Sequence, residues 1–218
     1  GVDWIRRNSV AGFAPGVRGR HDQDGVASFV PAGSKLVFQM HYTPNGSVQQ
    51  DRSYVGVIFA DPSEVRKKKQ GELAINQSFS IPPGADNHKV EAEYRFEKDL
   101  LLTDMMPHMH LRGKSFRFEA FYPDGSKEVL LDVPHYDFNW QLTYELAEPK
   151  LMPKGTVMHC TAHFDNSEHN LANPNPKETV TWGDQTWEEM MIGFFGAVAV
   201  EPDVTPAEAA AGSDSSGG

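Results

Sequence analysis

The sequence predicts an all-β protein built as an antiparallel β-sandwich. Short segments alternate apolar and polar residues with a period of two. Pro, Gly, Asn and Asp separate them at fairly regular intervals. No internal repeat and no long amphipathic helical pattern interrupts the series. At 218 residues the chain has room for one large or two small domains.

Each element follows from its own residues. In residues 34–42, Leu36, Phe38 and Met40 share one face of a strand, and Val37, Gln39 and His41 share the other. Residues 53–60 predict a second strand. Asp61-Pro62-Ser63 suits the start of a helical turn, and Lys67-Lys68-Lys69-Gln70-Gly71 reads as an exposed connection. A new series begins there. Residues 73–81 run into the turn Pro82-Pro83-Gly84, and strands are expected over 89–96, 100–110 and 114–122. Pro123-Asp124-Gly125-Ser126 is a hairpin turn leading into 128–131. Residues 140–146, 156–164 and 190–200 complete the set. A domain break is therefore expected near 66–72. Residues 1–70 form only part of a β-domain, 71–202 hold enough strands for their own core, and 203–218 form a disordered tail rich in Ala, Gly, Ser and acidic residues.

Composition narrows the function. Hydrophobic residues make up 39% and charged residues 23%, which suits a globular protein. No apolar run approaches the roughly 18 residues of a membrane-spanning helix. Thirty acidic against 20 basic residues give a net charge of −10, which argues against nucleic acid or an anionic membrane as partner. Cys160 is the only cysteine, so neither an internal disulfide nor a cysteine-rich metal site is expected. The chain opens at Gly1-Val2-Asp3-Trp4 without an initiator Met and reads as a mature or excised piece of something longer.

Nine histidines are many for this length. In Met105-Met106-Pro107-His108-Met109-His110, the two histidines stand at i and i+2, so on a strand both imidazoles leave the same face and can reach one ion. Met106 shares that face if the alternation survives Pro107. In Glu188-Glu189-Met190-Met191, Met190 opens a strand face shared with Ile192 and Phe194. Two imidazoles and a thioether make a soft donor set that favours copper over Mg, Ca or Mn. His41 alone, and His159 with His163, read as structural histidines. His21, His88, His135 and His169 fall in loop-like contexts. No phosphate loop, nucleophile elbow or carboxylate pair stands out.

Four motifs, in order along the chain, resemble the copper type II, ascorbate-dependent monooxygenases, the family of the peptidylglycine α-hydroxylating and dopamine β-monooxygenases. They are Gln39-Met40-His41-Tyr42, Ile81-Pro82-Pro83-Gly84, His108-Met109-His110-Leu111-Arg112-Gly113-Lys114 and Glu188-Glu189-Met190. The resemblance implies a pair of jelly-roll-like sandwiches, of which this chain holds the second and the latter half of the first. It implies a catalytic copper on His108, His110 and Met190, where O2 reacts with a substrate C–H bond. It implies that His41 is one ligand of a second, electron-transfer copper whose other histidines lie upstream. The electron donor would be ascorbate or another reductant, reaching the site through an upstream domain or a cytochrome. A periplasmic or extracellular setting goes with the family.

The chain also departs from the family. Met191 stands where a disulfide partner of Cys160 would be. Met106, Ile192 and Phe194 stand where peptide hydroxylases clamp a substrate carboxylate, which implies an apolar pocket for an uncharged or aromatic small molecule. Two rivals share the same residues: a non-catalytic copper-binding or electron-transfer module, and a metal-free scaffold with the same fold.

Overall fold

The computed structural model describes residues 9–19, 21–42 and 44–211. The body of the fold consists of two four-stranded antiparallel sheets. One has the order β5 (His88–Arg95), β10 (Val157–Phe164), β7 (Gly113–Phe121), β8 (Lys127–Val133). The other runs β3 (Gln70–Asn76), β12 (Met191–Ala199), β6 (Leu100–His108), β9 (Tyr144–Met152). Two short pairings flank them: β1 (Val26–Ala27) beside β2 (Lys67–Lys68), and β4 (Ser80–Ile81) beside β11 (Val180–Thr181).

Period-two burial holds the layers together. Along β10, Met158, Cys160, Ala162 and Phe164 are buried, while Val157, His159, Thr161 and His163 are half-exposed. The inner faces contribute Phe116, Phe118 and Cys160 from one sheet and Ala74, Met105, Met191 and Phe195 from the other, all in one core. Burying such side chains contributes roughly 1.5–3 kcal/mol each. At Gly193 the layers approach so closely that a Cβ would stand 2.7 Å from the Phe118 ring and 2.8 Å from the Cys160 sulfur. β12 is central in its sheet and buried on both faces; on its outer side Ile192 is 2% exposed.

Several expectations need correction. Neither 34–42 nor 53–60 forms a strand. The alternation is present, but no described segment pairs with either, and both faces stay exposed: Leu36 and Phe38 on one, Val37 on the other. A strand is defined by its neighbour, and period alone does not supply one. The strand expected over 140–146 begins only at Tyr144 and runs to Met152, because Trp140 and Gln141 belong to a loop. Within the expected tail, α1 (Pro206–Ala211) is helical. Thr205 caps it: Oγ1 accepts from the Glu208 N–H at 3.2 Å, and the Glu208 carboxylate accepts from the Thr205 N–H at 2.8 Å. Residues 1–8 and 212–218 lie outside the described residues. No described helix is long and apolar enough to cross a membrane.

Candidate metal centre

The predicted residues meet at one end of the β3–β12–β6–β9 sheet. β6 ends at His108, and His110 follows two residues on. Their rings lie nearly perpendicular, centroids 5.3 Å apart. Ile192 on β12 is the register partner of His108, and Phe194 is that of Met106, so these four share the outer face. Met190 immediately precedes β12, two residues before Ile192, and His110 follows β6 by two residues. Met190 is half-buried, as are Met106 and Phe194. The Phe194 ring lies 6.1 Å from that of His108, and the Phe138 ring stands edge-on to His110 at 6.3 Å.

Both imidazoles are held neutral. Burial pushes His108 down to about 4, and the adjacent His110 adds to this. Burial also lowers His110, partly offset by the Glu188 carbonyl, which accepts from Nδ1 at 3.1 Å. His41 is close enough to act electrostatically on His110, which lowers it further. An unprotonated imidazole is the form that ligates metal.

The site rests on a buried polar lattice that the sequence did not reveal. Glu189 is fully buried, and its carboxylate accepts from the His110 N–H at 2.8 Å and the Arg112 N–H at 2.6 Å. It thereby ties the histidine segment to the residue next to Met190. Burial pushes its carboxyl up to about 8 against the pull of those two donors. The Arg112 side chain, 1% exposed, donates to Asn166 Oδ1 and the Trp187 carbonyl, both at 2.8 Å. Asn166 in turn donates to the carbonyl of Pro82, so the Pro82-Pro83-Gly84 turn is fastened to the same lattice. Tyr136 clamps the residue between the histidines, its hydroxyl donating to the Met109 carbonyl at 2.6 Å. Gly113 is required beneath it, since a Cβ would stand 2.7 Å from the Tyr136 ring. Gln141, 1% exposed, accepts from His108 Nδ1 at 2.7 Å. The glycine after the His-x-His motif was the one visible trace of this support.

His159 and His163 lie on the opposite sheet. His159 sits on the outer face of the opposite sheet between Glu91 and Glu93, and His163 beside Ser115. Cys160 is buried and free. Among the described residues no group of three or more His, Cys, Asp or Glu side chains is poised to hold an ion.

The fold and site define an all-β sandwich with a pair of facing imidazoles at one end of a sheet. No family model matches the chain. DBH-like monooxygenase protein 2 of Mus musculus is 23% identical over 190 residues, covering 80% of this chain and 29% of that protein. The chain thus spans less than a third of the length of this relative. The similarity is to a DBH-like monooxygenase and is weak. Among solved structures, the T13 IBDV viral particle matches with a TM-score of 0.30 at 8% identity, covering 66% of this chain and 35% of that one. The infectious bursal disease virus VP2 subviral particle gives 0.29 at 11% identity, covering 68% and 38%.

Proposed function

We propose that this chain is the catalytic-copper portion of a reductant-dependent monooxygenase that hydroxylates a C–H bond of a small, uncharged substrate. One observation carries the reading: His108, half-buried, and His110, buried, face each other with ring centroids 5.3 Å apart and both lowered by burial, and Met190 stands two residues before Ile192, the register partner of His108. Two imidazoles and a thioether fit Cu(I) by softness. The weak similarity to a DBH-like monooxygenase agrees with that chemistry.

When bound, copper would supply the redox chemistry with O2, which no side chain here can provide. His108, His110 and Met190 would hold it. The Glu189 carboxylate fixes the His110 segment against the segment carrying Met190, and Tyr136 fixes Met109 between the two histidines. Met106 and Phe194 are half-buried apolar groups on the same face, with Ile192 buried beside them, which favours an uncharged or aromatic substrate over a carboxylate. His41 would belong to a second copper completed by residues outside this chain. Electrons would come from ascorbate or another reductant, through an upstream domain or a cytochrome, in a periplasmic or extracellular setting.

The test is copper uptake by the 218-residue chain. One equivalent is expected after reconstitution, with loss in His108→Ala and in Met190→Ala. Equal uptake by all three proteins overturns the ligand set. A copper-binding electron-transfer module that uses the same three residues is the second reading. In the longer protein, reductant-dependent O2 consumption coupled to product formation, abolished by Met190→Ala, supports the enzyme. Copper binding without O2 consumption supports the module.

A further inference from the structure

We infer that Gln141 is a positioning residue that fixes which nitrogen His108 presents, and that the Pro15–Gly16 turn seats Gln141 for this task. The Gln141 amide has no freedom to flip. Its Nε2 donates to the Phe138 carbonyl at 2.9 Å, so Oε1 faces His108 Nδ1 at 2.7 Å. An amide oxygen only accepts, so Nδ1 carries the proton. A neutral imidazole has one N–H, which leaves the Nε2 lone pair of His108 free. The His108 ring is therefore locked in one tautomer with its Nε2 left to receive a ligand, while the His110 ring is held by two main-chain carbonyls, those of Glu188, 3.1 Å from Nδ1, and Gln185.

The two locks differ in kind. That on His110 is main chain and survives any substitution at position 188. That on His108 is a side chain on a loop, and the loop is held from far away in sequence. The Gln141 N–H donates to the Pro15 carbonyl at 2.8 Å. Gly16 has φ +91°, a conformation suited to glycine, and a Cβ there would stand 3.1 Å from Trp140 Cα and 3.3 Å from the Gln141 nitrogen. The turn over 14–17, closed by the Val17 N–H on the Ala14 carbonyl at 3.0 Å, thus sets the depth of Gln141.

The His108 tautomer can be read without metal, so it does not depend on the copper reading; the effect on copper affinity does. Long-range 1H–15N correlation of the imidazoles in the metal-free, 15N-labelled chain near neutral pH should show Nδ1–H for His108. A proton on His108 Nε2 instead overturns the inference. In Gln141→Leu the Nδ1–H signature of His108 should be lost while the His110 signals stay as internal control. Gln141→Glu, which keeps an acceptor, should keep the proton on Nδ1. Gly16→Ala should weaken the His108 signature with circular dichroism unchanged. Cu(I) affinity should fall roughly 10- to 100-fold in Gln141→Leu and recover in Gln141→Glu. An unchanged His108 signature or unchanged affinity in Gln141→Leu overturns the positioning role. If Gln141→Leu fails to fold, the parent spectrum and Gly16→Ala decide the matter. A parent chain that takes up no copper defeats the copper reading and leaves the tautomer result standing.

Discussion

His108 couples the site to the stability of the chain. In the unfolded state its imidazole takes up a proton near the ordinary value of 6.5, whereas burial holds it down to about 4 in the fold. Stability from this residue is therefore complete above pH 6.5 and falls as pH drops from 6.5 toward 4, because the unfolded chain binds the proton first. Thermal melts of the metal-free protein across that window, compared with His108→Asn, should show the parent losing more stability; parallel curves would contradict the burial argument. Glu189 is the second residue whose loss reaches the site. Glu189→Ala leaves the buried N–H groups of His110 and Arg112 without an acceptor and should cost about 2–4 kcal/mol. Denaturant titration measures it. A loss of a few tenths would mean that water replaces the carboxylate.

β12 is the element on which core and site depend together. Its inner face meets the opposite sheet at Gly193, and its outer face carries Ile192 and Phe194 beside the histidines. Gly193→Ala would drive a methyl into the Phe118 ring and the Cys160 sulfur, so β12 must move outward. Overpacking of this kind costs typically 1–3 kcal/mol. The expected result is a lower melting temperature together with weaker copper binding, since Met190 lies on the same backbone; Cys160→Ala should restore part of both by removing one of the two obstacles. At this scale the limits of sequence reading are plain. Period two identified β5, β6, β7, β10 and β12 and the shared parity of His108, Ile192, Phe194 and Met106, because strand geometry converts spacing directly into facing. It failed over 34–42 and 53–60, where alternation is real but no described strand supplies hydrogen bonds. It also could not find Gln141, whose partner is 33 residues away on another element, nor the lock between Glu189 and the 110–112 backbone. Such contacts depend on which loops meet, and local pattern carries no record of that.

The molecule as a whole is uneven in how it is held. Residues 67–200 lie in paired strands and their connections around one core. Residues 29–60 contain no described strand, and Tyr54 and Phe59 are 90% and 86% exposed. Backbone without a hydrogen-bonded partner and with little buried apolar area opens at low free energy, and proteases cut where backbone opens. Chymotrypsin at low ratio should therefore cut first at Tyr54, Phe59 or another aromatic within 29–60, before any cut between Gln70 and Ala199. Intact-mass spectrometry of the first fragments checks this, and a first cut inside β3–β12 would refute it. The division of metal between the two parts is tested at His41 itself. If the copper of this chain sits on His108, His110 and Met190, His41→Ala keeps its one equivalent; if His41 is an essential ligand of that same ion, copper is lost in that variant.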